Sequence, residues 1–401
     1  MTTILICEDE QANSDRWVRG ISAAVPTTFP APSPLVDHPG AFKELFARLR
    51  ALREGRNREE EHCGFDGNDV LVVDYDLVMF GDDNARHTGE ELARLCRILA
   101  DVGYVVVMNQ YNRSAHFDLR LSGHPNSYAD INVAAIAVDK PGLWRSVTVG
   151  EFKPWYWDSI SDLIKSRKTL SLKLGDKGLD SSVIEFIGMP DEVLNALPDE
   201  VYEHLNRDGK TSDDLVATTF HQFLGQQIES KDIARLIMTK PGRAAALAVA
   251  RTAKWLSRMV LGPQDLLVDI PHLLERLPFL MDPEFGDPAD PAVWQRVPLA
   301  GLEAIVEPLR NECAFLESEL WLGKASLWWP KLDRHESIRE LRSKATVRSV
   351  PNIAFAEDRS IFVPIPEAEE FRSDYQGRYG RRWVKPFDGL EYEPRRRLLE
   401  I

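Results

Sequence analysis

A chain of 401 residues has the length for two to three domains of ~150 residues each. Its 44% hydrophobic and 28% charged content is that of an ordinary folded protein, and its net charge of −14 argues against a whole surface built to grip nucleic acid, leaving only a local basic patch open. Four cysteines without a CxxC pair, or histidines at ligand spacing, argue against a zinc site or a disulfide framework and for reduced thiols.

The chain opens on Ile4, Leu5, Ile6 and Cys7, an apolar run that ends in Glu8, Asp9 and Glu10. Such a run predicts a strand buried on both faces, as in parallel sheets. A start of this kind has the pattern of neither a signal nor a transit peptide, so a cytoplasmic location is expected. Residues 12–25 place Trp17, Val18, Ile21 and Val25 at helical spacing. Pro26, Pro30, Pro32 and Pro34 follow where a second strand is due, and read as an edge strand or a loop. Residues 41–53 predict an amphipathic helix through Phe42, Leu45, Phe46, Leu49 and Leu52. Residues 56–67 read as an exposed loop.

Residues 69–77, DVLVVDYDL, form the second buried run, from Val70 to Val73, and it ends abruptly in Asp74. A carboxylate at the carboxyl end of such a strand sits where open α/β sheets bind ligands. After a polar loop at 81–87, residues 88–100 predict a helix with Thr88 as N-cap, Glu91 completing a capping box, and Leu92, Leu95, Ile98 and Leu99 inward. Residues 104–108 predict a strand ending at Asn109. Residues 131–138 predict another, ending at Asp139, Lys140 and Pro141. Strands alternating with helices give an α/β fold, a doubly wound parallel five-stranded sheet. Glu8, Asp9 and Asp74 would then share one acidic pocket at its carboxyl edge.

With these residues in order, 1 to about 150 resembles a receiver domain, the flavodoxin-like phosphoacceptor module of bacterial two-component response regulators. ILICEDE resembles the first receiver strand, DVLVVDYDL the third, TGEEL at 88–92 the start of the third helix, VVVMN the fourth strand and AVDKP the fifth. The resemblance implies that Asp74 is the phosphoacceptor. It implies that Glu8, Asp9, Asp74 and the backbone carbonyl of Asp76 hold Mg2+, and that Lys140 binds the phosphoryl group, with a cis form open at the bond to Pro141. The implied partner is a histidine kinase or phosphotransfer protein. Transfer to a carboxylate needs in-line positioning and neutralisation of spread negative charge, and clustered carboxylates hold a hard cation suited to that.

Three features depart from that pattern. Asn109 stands where the family has Ser or Thr; its amide can donate to a phosphoryl oxygen, but a hydroxyl switch is lost. The separations are long: 65 residues from Asp9 to Asp74, and 31 from Asn109 to Lys140, so residues 110–132 rebuild the face receivers use for signalling. A second Lys-Pro, Lys153-Pro154, competes with Lys140 for the phosphate-binding role.

The remainder reads as a helical output or interaction domain at 171–350 and an extended basic-aromatic segment at 351–401, following a receiver-like domain at 1–170. Helices are expected at 191–197, 199–206, 212–228, 230–238, 243–261, 264–276, 299–322 and 334–344. The apolar run from Ala244 to Ala250 is far short of the ~20 residues that span a bilayer. Residues 230–239 resemble the first helix and turn of a helix-turn-helix, yet Ala244, Ala245, Ala246 and Leu247 offer nothing to read base edges. Arg243, Arg251, Lys254 and Arg258 form a stripe that reads first as a solvated face. His204, His221, His272 and His335 lack partners at informative spacing, and Trp321, Trp328 and Trp329 read as local core. Tyr375, Tyr379, Trp383 and Tyr392 interleave with arginines in the tail, which reads first as a clamp across the acidic body and second as a grip for an anionic strand.

The expectation is a signalling protein phosphorylated on Asp74, with a non-DNA-binding helical output and a protein partner on that region, rather than a metabolic enzyme. One alternative is a degenerate receiver serving as scaffold or phosphate decoy. Another is a DNA- or RNA-binding effector working through residues 230–258 and the tail. A second copy of the chain also stays open as a partner.

Overall fold

The computed structural model describes residues 3–25, 29–56, 62–77, 87–109, 126–140, 157–209, 211–227, 230–280, 287, 289–296, 309, 312–344, 352–372 and 381–387. The N-terminal region holds β1 (Ile4–Cys7), α1 (Gln11–Ala24), β2 (Ser33–Pro34), α2 (His38–Arg53), β3 (Asn68–Asp74), β4 (Asp76–Leu77), β5 (His87–Thr88), α3 (Gly89–Leu99), β6 (Val102–Asn109) and β7 (Ile131–Ala134). Five of the strands make one parallel sheet in the order β2-β1-β3-β6-β7. That is the order of a doubly wound, flavodoxin-like sheet.

The apolar runs become strands because both faces of the sheet are covered. Val70 and Val72 lie in one core with Trp17 and Ile21 of α1, while Leu71 and Val73 lie in the other with Phe42 and Leu45 of α2 and Leu92 and Leu95 of α3. The proline stretch does supply an edge strand: Ser33 and Pro34 pair with Leu5 and Ile6, and Leu35 donates its N–H to the Ile6 carbonyl. An edge tolerates the N–H that Pro34 lacks. The helix of 88–100 starts as expected, with Thr88 Oγ1 accepting from the Glu91 N–H at 3.1 Å, but the Glu91 carboxylate lies 3.1 Å from His87 Nδ1.

The last strand is shorter than the sequence suggests. β7 stops at Ala134, and residues Ala135–Asp139 form a 3-10 turn whose Val138 packs directly over Gly20 of α1. The alanines Ala134, Ala135 and Ala137 are poor strand formers, and the single β-branched Ile136 among them does not hold the extended form past Ala134.

Helix α4 (Trp157–Lys177) spans the boundary expected near 170 without a break. Its Ile160, Leu163 and Ile164 cover the α1 face of the sheet, and its Leu170 and Leu174 join the opposite core. The helices that follow are α5 (Val183–Ile187), α6 (Asp191–Leu194), α7 (Asp199–Leu205), α8 (Ser212–Val216), α9 (Phe220–Gln227), α10 (Ser230–Thr239) and α11 (Pro241–Trp255), the last ending in a π-turn at Leu256–Leu261. The helix expected over 212–228 is split at Thr218 and Thr219, where Thr219 bridges to Ser182. The segment expected to be helical over 264–276 begins as β8 (Leu267–Asp269) and only then becomes α12 (Ile270–Arg276), capped by Asp269. Pro271 at the first turn and the Asp269 cap set that start.

α11 packs against α3 and α4, and its Leu247, Val249 and Trp255 share one core with Leu71 and Val73 of the sheet. The chain continues through α13 (Pro291–Arg296), α14 (Ser318–Leu322), β9 (Ser326–Trp328), α15 (Trp329–Arg334) and α16 (Glu336–Lys344). Strands β10 (Ile353–Ala356), β11 (Ile361–Pro364), β12 (Glu369–Arg372) and β13 (Arg381–Val384) form a four-stranded sheet, β11-β10-β13-β12. Trp321 and Trp328 sit in the core shared with the first sheet, and Trp329 in the core of the second. Of the basic tail, the described part brings Val384 into the core with Ile4, Trp17 and Ile160. Pro141, Lys153, Tyr375, Tyr379 and residues 388–401 lie outside the described residues. No helix is long and apolar enough to cross a membrane among the described residues.

Candidate acidic site at the carboxyl edge of the sheet

The register fixes which residues meet. Cys7 pairs with Val73, so Glu8 and Asp9, leaving β1, stand beside Asp74 at the end of β3. One oxygen from each of Glu8, Asp9 and Asp74 lies within 4.8 Å of the others. Glu8 and Asp74 are each 2% exposed, and Asp9 is half-buried. The three residues that sequence reasoning singled out as carboxylate ligands are therefore brought together.

Crowding of like charge in a dry place has an electrostatic consequence. Burial, then the Asp74 charge, push the Glu8 carboxyl up to about 8, against a Glu10 N–H that donates to its Oε1 at 3.0 Å. Burial and the charges of Glu8, Asp9 and Asp74 push the Cys7 thiol well above its ordinary value. Beside the cluster, burial lowers the His38 imidazole while Asp9 and Asp37 pull it upward, so the first turn of α2 also feels the site. Hard oxygen donors that repel one another until a cation arrives could hold a metal ion.

The other expected residues sit as follows. Asp76 lies in β4, opposite Thr88 of β5. Asn109 ends β6, half-buried and paired with Ala134. Lys140 comes six positions after the last residue of β7, past the 3-10 turn, and its N–H donates to the Ala137 carbonyl at 3.1 Å. The start of α3 closes tightly on the pocket: the Gly89 N–H donates to the Tyr75 carbonyl at 2.8 Å, and a Cβ on Gly89 would collide with the Asp74 carbonyl oxygen.

Behind the site lies a second polar assembly that the sequence did not reveal. Asp130, 8% exposed, pairs with Arg97 and with Arg167 (2.5 Å), and accepts the Val105 N–H at 2.7 Å. Burial resists its ionisation, yet the two arginines hold its carboxyl below the usual range. The basic stripe of α11 faces this assembly. Arg251 and Lys254 are buried; Arg251 donates to the Ser127 carbonyl at 2.7 Å, and Lys254 to those of Ala129 (2.9 Å) and Asp130 (3.2 Å). Desolvation brings the Lys254 ammonium down to about 7. The solvated-face reading of that stripe fails at these two residues, because α11 is the helix that covers residues 127–130. The only signal in the sequence was the seven-residue apolar run beside them, which marks a buried helix.

A third cluster corrects the reading of the histidines. His272 Nδ1 lies 2.5 Å from Asp269 Oδ1, while Arg382 Nη1 lies 2.7 Å and Glu357 Oε1 3.2 Å from its Nε2. Lys324 reaches Asp269 at 2.7 Å. Asp269 precedes His272 by one helical turn, a spacing legible in the sequence; Glu357 and Arg382 arrive through the tertiary fold.

The class the geometry defines is an α/β protein with a flavodoxin-like parallel sheet and a three-carboxylate cluster at its carboxyl edge. Comparison of the chain with protein-family models, curated proteins and solved structures finds no match.

Proposed function

We propose that the chain is a receiver-like signalling protein in which Asp74 accepts a phosphoryl group beside a divalent-cation site. The observation that carries this reading is the convergence of Glu8, Asp9 and Asp74 from two paired strands at the carboxyl edge of a sheet ordered β2-β1-β3-β6-β7. Glu8, Asp9 and Asp74, with the Asp76 carbonyl, would hold Mg2+. When bound, the ion supplies charge neutralisation for the phosphoryl oxygens.

An Asp74 carboxylate oxygen attacks the phosphorus of a phosphohistidine on a kinase or phosphotransfer protein. The P–N bond breaks as the new P–O bond forms, and the leaving imidazole takes a proton from solvent. Asn109, at the end of the neighbouring strand, offers an amide donor in place of a hydroxyl. Acetyl phosphate with Mg2+ should add one base-labile phosphoryl group per chain, absent in Asp74→Asn; equal labelling of that variant overturns the assignment.

One observation favours a second reading, a scaffold or phosphate decoy that does not switch. β7 ends at Ala134, so the lysine that the resemblance expects at a strand end instead follows a 3-10 turn. That reading predicts no change in hydrodynamic radius or partner affinity on addition of Mg2+ and beryllofluoride, and a clear change removes it.

A further inference from the structure

If Asn109 lacks the hydroxyl that would report phosphorylation, another route must carry the event to the rest of the chain, and the start of α3 offers one. Gly89 touches the Asp74 backbone so closely that a Cβ there would also stand 3.1 Å from Tyr75 Cα. The next residue is Glu90. Its carboxylate accepts from Ser127 Oγ at 2.8 Å through both oxygens, and from Asn132 Nδ2 at 2.5 Å. Ser127 Oγ also accepts the Ala129 N–H at 3.1 Å, and the Ser127 carbonyl accepts from Arg251 of α11. Ser127, Asn132 and Arg251 are buried and Glu90 is half-buried, so these contacts are partly shielded from water.

We infer that Glu90 is the transmission residue of this protein: the state of Asp74 reaches α11 through Gly89, Glu90, Ser127 and Arg251. The inference rests on the phosphoacceptor reading and adds its output, which is helix Pro241–Trp255 of the same chain. The geometry gives the route a mechanical basis. A displacement of the Asp74–Tyr75 backbone must push α3 at Gly89, because no space lies between them. Glu90 is one residue along, and of its two partners Asn132 lies in β7 and Ser127 on the segment entering it. That segment is held on its other side by Arg251 and Lys254. The Arg251 guanidinium also lies 4.7 Å over the Tyr128 ring, so a shift of residues 127–130 disturbs four contacts of α11 together.

Hydrogen exchange on the full chain, with and without Mg2+ and beryllofluoride, measures the coupling, and 19F resonances of bound fluoride report occupancy independently. The ligand should change amide exchange in 126–130 and 241–255 by about fivefold or more, the usual lower range of allosteric coupling. In Glu90→Ala the ligand should still bind while the response of 241–255 is lost. Ser127→Ala, a milder change, should weaken that response, and Glu90→Gln should restore part of it. Binding without any response of 241–255 in the wild-type chain overturns the route and leaves the site standing. A full response in Glu90→Ala overturns the role of Glu90. Absence of binding in the wild type overturns the phosphoacceptor reading itself, and the route with it.

Discussion

Glu8→Gln removes a buried carboxylate together with its repulsion from Asp74 and Asp9. With ligand oxygens within 4.8 Å, two full negative charges repel by about 3 kcal/mol at an effective dielectric of about 20. Solvent at the pocket mouth screens part of this, so ~1–3 kcal/mol is the expected range. The sign follows from the proton. Folding raises the Glu8 carboxyl from its ordinary 4.5 to about 8, so the folded chain holds a proton that the unfolded chain releases across that window. The stability this proton supports is complete below the ordinary carboxylate range and is lost as pH rises through about 8. In EDTA, Glu8→Gln should therefore match the wild type near pH 4.5 and become progressively more stable than it up to about pH 8, above which the gap levels off. Mg2+ should stabilise the wild type more at alkaline pH and the variant little. Thermal melting followed by tryptophan fluorescence checks both. A Glu8→Gln chain that melts no higher than wild type at pH 9, or a gap that ignores pH, would refute the reasoning.

Other consequences follow from neighbouring contacts. Gly89→Ala forces a methyl against the Asp74 carbonyl and should cost ~1–3 kcal/mol by urea denaturation while weakening cation binding; unchanged binding would mean that α3 does not bear on the site. Asp130→Ala leaves Arg97 and Arg167 buried without their shared carboxylate and should cost ~3–5 kcal/mol, so a loss under ~1 kcal/mol would contradict the burial of that network. Lys140→Ala should lower beryllofluoride affinity less than about tenfold, since its place past the 3-10 turn separates it from the strand end; a loss of about a hundredfold would put its ammonium in the pocket.

What could be read from the sequence depended on range. Val70–Val73 and Ile4–Cys7 announced buried strands because four successive apolar residues leave little else, and the carboxylates closing those runs marked the pocket. The Thr88 cap was legible for the same local reason. The end of β7 was not, since alanines between Val133 and Val138 suit strand and turn equally. Arg251 and Lys254 looked like a solvated stripe because a helix alone does not say which face its neighbours cover. Glu90, Ser127 and Arg251 share no sequence spacing at all; only the packing of α11 against α3 and the 127–130 segment brings them into line. Asp269 and His272 lay within sight at one helical turn, but without Glu357 and Arg382 the pair carried no message.

The role proposed for Asp74, with Glu8 and Asp9, is to bind a cation and a phosphoryl-shaped ligand together. Beryllofluoride is that ligand, and 19F spectroscopy of the full chain reads it without any partner. Bound-fluoride resonances should require Mg2+, vanish with EDTA, and be absent in Asp74→Asn and Asp9→Asn. Resonances that persist in Asp74→Asn, or none in the wild type at millimolar Mg2+, would contradict that role.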